Sequence, residues 1–406
     1  MCDHVSSLCE QNTKRPVLPK VLALLATTTL LTSCDDFNAA PVNFSQADIV
    51  AVGDVRTLEV QGRTFTSLPA SPPAVDARQA ALGRDLFWDP ILSGNRDVAC
   101  ATCHLPEHGY TDGQPRAIGV GGSGRGSMRV VGHTDRVRRN TQTVLNAVWN
   151  GIDSLGAFDP NTAPMFWDNR TRTLEAQALE PIRSREEMRG GAFTESQIEA
   201  EVVARLNGIA AYTQAFNDAF GSTPITIDQV ATALANFQRT LVANNTPFDR
   251  WMRGEPNAMT PNQLSGMVEF AASGCADCHS GPLFSDFQLR VLGTPEGAGL
   301  LQPDTGDGNF AFRTPTLRQL DATGPFFHAG QFATLEAAVN FYDESAVTDN
   351  PNVPSTSLDP LLQNVPEMED GRGAILVDFL RALNDDSFDK TEPATVPSGL
   401  SPGGFL

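Results

Sequence analysis

Two five-residue segments carry the residue types most capable of chemistry: Cys100-Ala101-Thr102-Cys103-His104 and Cys275-Ala276-Asp277-Cys278-His279. Each is C-x-x-C-H, the attachment signature of c-type haem. On one helical turn the two thiols lie on adjacent edges, within reach of the two vinyl groups of one macrocycle. The imidazole that follows is then placed to ligate the iron. A C-x-x-C pair also serves zinc and thiol redox chemistry. Here there is no further C-x-x-C, and neither pair has a spare Cys or His beside it to complete a zinc site. Two purely structural thiol pairs would have to explain the same histidine after both. The expected cofactors are therefore two covalent haem c groups, one on Cys100, Cys103 and His104, the other on Cys275, Cys278 and His279.

The rest of the chain must position these two sites. At 406 residues it has room for two domains. Of seven cysteines, four belong to the motifs and Cys2, Cys9 and Cys34 all precede residue 35, so the body retains no pair for a disulfide. Helix signals dominate and strand signals are few. Asp76 and Gln79 are placed as a capping pair for a helix carrying Leu82 and Leu86, which stops at Asp89-Pro90 just before the first motif. Thr194 with Gln197, Thr226 with Gln229 and Thr260 with Gln263 are capping boxes; the last opens a helix that runs into the second motif. Further helices are expected from Thr334 and over Ala374 to Asn384. The fold expected is mainly α, two cytochrome c-like domains with one haem each and long connecting loops. The divisions are a signal at 1–34, a tether and extended arm at 35–75, domains at 76–225 and 226–388, and a loose tail at 389–406.

Between the motifs, residues 113–139 form a loop rich in Gly and Arg. Its Gly119-Val120-Gly121-Gly122-Ser123-Gly124 matches G-x-G-x-x-G, but a dinucleotide site needs a strand before it and a helix after it, and neither is visible. Its six arginines (116, 125, 129, 136, 138 and 139) are candidates for haem propionates or a partner, or form a solvated loop.

Lys14, Arg15 and Lys20 precede an apolar run from Val21 to Leu31, too short for a stable membrane span. It ends Leu31-Thr32-Ser33-Cys34, which resembles the bacterial lipoprotein box, with Asp35 next. Cys34 is either lipidated, so that membrane contact is through a lipid anchor only, or incidental to an ordinary cleaved signal; in both cases the body is exported, which suits haem attachment in the periplasm. The net charge of −19 argues against nucleic acid and fits a basic electron donor steered by charge. Only five histidines (104, 108, 133, 279 and 328) follow the leader, which argues against a wire of bis-His haems.

Arg139-Asn140 with Thr143-Val144-Leu145-Asn146, Phe166-Trp167-Asp168-Asn169-Arg170, Leu174-Glu175-Ala176-Gln177, and Thr323-Gly324-Pro325-Phe326-Phe327-His328-Ala329-Gly330 occur in this order around the two haem motifs. Together they resemble the bacterial dihaem cytochrome c peroxidase and MauG superfamily over roughly residues 76–385. The resemblance implies that Trp167 relays electrons between the haems. It implies that Gln177, Pro181 and Glu187 form the distal pocket of the N-terminal haem, with Glu187 as general acid/base. It also implies an inter-haem calcium ion on Asn140, Thr323 and Pro325. Alone, Trp167 would be a core residue and Glu187 a surface charge.

Three departures bear on activity. Fourteen residues after His328, where the peroxidases carry methionine as distal ligand of the C-terminal haem, stands Tyr342, as in MauG-type proteins. Phenolate oxygen favours ferric iron, whereas methionine raises the potential. Leu335, Ala338, Val339 and Tyr342 share one helical face, so Tyr342 is a ligand or a core residue of that face. Six residues before His279, where MauG-type enzymes that oxidise a protein carry tryptophan, stands Ser273. His133, six residues before Arg139, is near the place of the peroxidases' mobile distal histidine, one residue out of register. The function implied is a periplasmic oxidoreductase that reduces hydrogen peroxide with electrons from a small cytochrome or cupredoxin. The alternatives are MauG-like oxidation of a residue in a partner protein, and a dihaem electron carrier without turnover.

Overall fold

The computed structural model describes residues 44–342, 349–366 and 371–405. The expected signal at 1–34, with Cys34 at its end, and the first part of the expected tether, from Asp35, lie outside the described residues. No helix among those described is long and apolar enough to cross a membrane.

The chain opens with an antiparallel meander, β1 (Val50–Val52), β2 (Val55–Val60) and β3 (Arg63–Thr66). The expected extended arm is thus a small sheet. Its inward residues Leu58, Val60 and Phe65 join the core beneath the second haem motif. Helix α1 (Ala77–Trp88) follows, capped by Asp76, whose carboxylate accepts from the amides of Arg78 and Gln79. The Gln79 side chain does not complete the box; its amide oxygen accepts from Asn236 instead. Helix α2 (Cys100–Cys103) is the single turn of the first motif.

Two short strands, β4 (Pro164–Met165) and β5 (Thr171–Arg172), lead into α3 (Leu174–Arg183), then α4 (Glu195–Asn207), α5 (Ala210–Phe220), α6 (Ile227–Thr240), α7 (Pro247–Met252) and α8 (Pro261–Ala272). The three capping boxes open α4, α6 and α8, as their spacing predicts. A second strand pair, β6 (Leu289–Arg290) and β7 (Phe312–Arg313), precedes α9 (Leu335–Asn340) and α10 (Arg372–Arg381).

Each haem motif sits on a crossing pair of helices. Gly83 of α1 meets α6 so closely that a Cβ there would lie 1.9 Å from the Ala233 carbonyl oxygen, and Phe87 packs edge-on to Phe237. Gly266 of α8 meets α10 in the same way, 2.2 Å from the Ile375 carbonyl oxygen. The apolar stripe Val230, Leu234, Phe237 and Leu241 thus completes the first core, not the second. The expected division at 225/226 therefore moves past α6, because periodicity identifies the buried face of a helix but not its partner. The C-terminal stretch is not loose either. Phe388, Val396, Leu400 and Phe405 pack on the first core, and Ser398 donates to Asp89 (2.6 Å).

A buried ion pair joins segments distant in sequence. Arg318 and Asp249 are 1% and 0% exposed and pair through two hydrogen bonds of 2.7 and 3.0 Å. Asp249 also accepts from the Leu68 amide after β3 and from the Thr246 hydroxyl. Arg318 donates in addition to the Pro282 carbonyl, three residues beyond His279.

Candidate functional site

The four motif thiols are free, and burial pushes all of them up, Cys100 and Cys275 to about 12 and Cys278 to about 11. A dithiol redox centre needs the opposite shift, because the thiolate is the reactive form. His104 Nδ1 lies 3.0 Å from the Tyr110 carbonyl, and His279 Nδ1 lies 2.9 Å from the Phe284 carbonyl. A carbonyl only accepts, so each Nδ1 carries the proton and each Nε2 keeps its lone pair for a metal. Burial lowers both imidazoles below their usual value, which favours that neutral form.

Beside each motif is a cavity. The first is lined by Cys100, Cys103 and His104 together with Trp167, Gln177, Pro181 and Glu187. The second is lined by Cys275, Cys278, His279 and Tyr342, and also by Asn140, Thr323 and Pro325. Trp167 lines both, 8% exposed, with its indole N–H donating to the Asn140 carbonyl (3.0 Å) and its own carbonyl accepting from the Arg313 amide (2.6 Å). Two apolar-walled cavities, each with two thiols and a correctly protonated imidazole on one turn, fit a covalent haem.

The distal wall of the first cavity is built by α3 and the turn after it. Pro181 has no N–H, so the Gln177 carbonyl loses its ladder donor on the side that faces the cavity. Glu187 sits in a single π-helical turn, Arg185–Arg189, a form frequent at functional sites. Surrounding protein pushes its carboxyl up to about 7, with Arg170 opposing the shift. The turn is held from behind by the glycine-rich loop. The Val120 amide donates to the Glu187 carbonyl (3.1 Å), and a Cβ on Gly119 would lie 2.3 Å from that same oxygen. Arg129, 4% exposed, ties the loop by donating to the carbonyls of Ile118, Gly119 and Gly124. The G-x-G-x-x-G resemblance thus reflects close backbone packing.

Most of the loop arginines are internally engaged. Arg125 pairs with Glu107 and Glu392, Arg116, Arg136 and Arg138 donate to carbonyls, and Arg139 clamps Asp304 and Asp168. His133 is exposed, lies against Gly121 and is not part of the first cavity's lining. His328 is buried against Phe312 at 3.7 Å, and burial lowers it to about 4. In the second cavity, Tyr342 stands with Leu335, Ala338 and Val339 on one wall, and burial raises its phenol well above the usual value. Asn140 directs its amide nitrogen to the Gln114 carbonyl (2.9 Å), which leaves Oδ1 as the atom available to a cation. Ser273 is fully buried and donates to Glu269 (2.6 Å). Gln238 of the first cavity and Arg313 of both are among the lining residues that were not foreseen. Neither stands at a spacing that marks it in sequence.

The description "Di-haem cytochrome c peroxidase" matches residues 77–257. The methylamine utilization protein MauG of Methylorubrum extorquens strain AM1 is 34% identical over 376 residues, 90% of this chain and 92% of that protein. The cytochrome c551 peroxidase of Nitrosomonas europaea is 34% identical over 272 residues, 65% of this chain and 72% of that protein. Among solved structures, a MauG-like protein associated with microbial copper homeostasis superposes with a TM-score of 0.64 at 26% identity, covering 79% of this chain and 93% of that one. With the paired cavities and their shared tryptophan, these likenesses make the chain a member of the dihaem cytochrome c peroxidase and MauG superfamily of oxidoreductases.

Proposed function

We propose that the protein is an exported dihaem c-type peroxidase that reduces hydrogen peroxide at the first cavity with electrons delivered through the second. The observation that carries this reading is Trp167, one indole lining both cavities and held at its ring N–H and its backbone carbonyl. Reduction of one peroxide consumes two electrons and two protons and releases two waters. When bound, the haems supply the redox centres for those electrons; the chain supplies the proton handling and the path. Glu187, ionised, accepts a proton from the peroxide and returns it to the departing oxygen. Gln177 and the wall made by Pro181 orient peroxide beside it. Asn140 Oδ1 with the carbonyls of Thr323 and Pro325 would hold a calcium ion completed by water, a hard cation on neutral oxygens. The acidic surface suits a basic small cytochrome or cupredoxin as donor, and the leader suits a periplasmic, lipid-anchored enzyme.

The test is a periplasmically expressed protein assayed for two covalent haems by mass and for steady peroxide consumption with a reduced small cytochrome. Cys278→Ser should lose or destabilise the second haem. A protein with two haems and no steady turnover would overturn the peroxidase reading.

Tyr342 supports a second reading, MauG-like use of peroxide to oxidise a residue of a partner protein, while the buried Ser273 weighs against it. Tyr342→Met should raise the potential of the C-terminal haem and shorten the life of the doubly oxidised protein. Tyr342→Phe should remove the phenol that would ligate the C-terminal haem and give a high-spin or water-bound EPR signal. Unchanged spectra and potentials in both variants would make Tyr342 a packing residue and remove the main support for MauG-like chemistry.

A further inference from the structure

Among the described residues three arginines are almost fully buried, and they are satisfied in different ways. Arg318 has the Asp249 carboxylate, and Arg129 has three loop carbonyls. Arg313 is 7% exposed, and one guanidinium hydrogen bond is formed, from Nη1 to the Pro164 carbonyl (3.0 Å). Its Nε is buried with no partner. The one carboxylate whose charge acts on it, Asp168, is already engaged by Arg139 (2.7 Å) and Arg170 (3.0 Å). Phe287 lies 5.8 Å from the guanidinium carbon, a contact that offers a cation little charge compensation. An uncompensated buried cation costs several kcal/mol. Burial accordingly lowers this guanidinium to about 10, an unusual position for an arginine.

Arg313 is also one of the few residues that line both cavities, and its backbone N–H holds the Trp167 carbonyl. Its missing counter-charge must come from what fills those cavities. We infer that the guanidinium of Arg313 is a carboxylate-binding site between the two cavities, and that its occupant is a propionate side arm of a bound haem. This rests on the dihaem reading given above. A guanidinium donates through a planar fork that matches a carboxylate's two oxygens. Arg313 is thus a positioning residue with two tasks. It orients one macrocycle through its propionate, and through its backbone it fixes the tryptophan beside that propionate. Its charge also balances the propionate, so it favours the reduced state of the neighbouring iron.

The experiment uses the holoprotein with Arg313→Gln and Arg313→Lys, each verified by mass to carry two haems, with midpoint potentials from spectroelectrochemical titration. Arg313→Gln should lower at least one potential, shifting the oxidised-to-reduced equilibrium about tenfold, about 59 mV for a one-electron couple. Arg313→Lys keeps the charge but loses the fork. It should shift the potential less and still move the propionate-bending band in resonance Raman spectra. If the glutamine variant does not accumulate, the Raman band of the lysine variant decides. Potentials and propionate bands that match wild type would overturn the inference. So would wild-type potentials that follow added acetate at constant ionic strength, since the guanidinium would then be holding an exchangeable free anion. Protein without covalent haem would instead sink the dihaem reading, whereas two haems with unmoved potentials sink this inference alone.

Discussion

Glu187→Gln should keep both haem spectra and lose about 10²–10⁴ in the rate of reaction with peroxide, the usual contribution of a positioned acid/base. Glutamine preserves the shape of the side chain and can still hydrogen-bond to peroxide, but it cannot take the proton. The pH profile makes the test sharper. Burial sets the carboxyl at about 7 where an ordinary glutamate lies near 4.5. The ionised form is the one that accepts the proton, so the wild-type rate should climb as pH rises through about 7, and the glutamine variant should be flat there. Linkage separates this role from a structural one. A raised carboxyl value favours the folded state only while the group is protonated, and that advantage is lost as pH rises through about 7. Above that pH the glutamine variant should be at least as stable as wild type. A variant that reacts at the wild-type rate, or that is slow only because it unfolds, would remove Glu187 from the mechanism.

Asp249→Asn should cost about 3–5 kcal/mol of folding stability, read from denaturant unfolding of the holoprotein. Asparagine nearly preserves volume, but it leaves the 1%-exposed Arg318 with an uncompensated buried charge. Three segments meet at this carboxylate: the exit of β3 through the Leu68 amide, α7 through Thr246, and the chain after β7 through Arg318. The damage should extend to the second site. The Arg318 guanidinium carbon lies 5.6 Å from the ring of Phe284, whose carbonyl takes the proton of His279 Nδ1. A broadened EPR signal from the C-terminal haem should accompany the lost stability. A cost under about 1 kcal/mol would mean that water or a shifted side chain replaces the pair.

Local chemistry was legible in the sequence to the extent that it was itself local. The boxes Thr226/Gln229 and Thr260/Gln263 close within one turn, so their spacing is enough to place α6 and α8. The steps from Trp167 to Gln177, Pro181 and Glu187 span one short strand and one helix, and all four residues do line one cavity. What was not legible depended on partners far along the chain. The face of α6 was evident, but its complement on α1 lies about 150 residues earlier, so the helix was assigned to the wrong core. The strands of the meander are three to six residues long, too short for alternation to stand out, and they gain their stability from the second core. The final stretch is polar in composition yet anchors through a few residues such as Phe405 and Val396. Arg313 could not be singled out, because a buried cation and a solvated one look the same until their neighbours are known.

The contact between Gly119 and the π-helical turn has a mechanical consequence. With no room for even one carbon between the loop and the Glu187 backbone, and with the Val120 amide bonded across the junction, a push on one side is transmitted instead of being absorbed. The glycine-rich loop is therefore a lever whose short arm is the carboxyl. A pull on the exposed tip around Met128 and Val130 is expected to reach the Glu187 backbone through this junction. The exchange rate of the Val120 amide with deuterium becomes a gauge of this motion, fast when Glu187 is withdrawn and slow when it is seated.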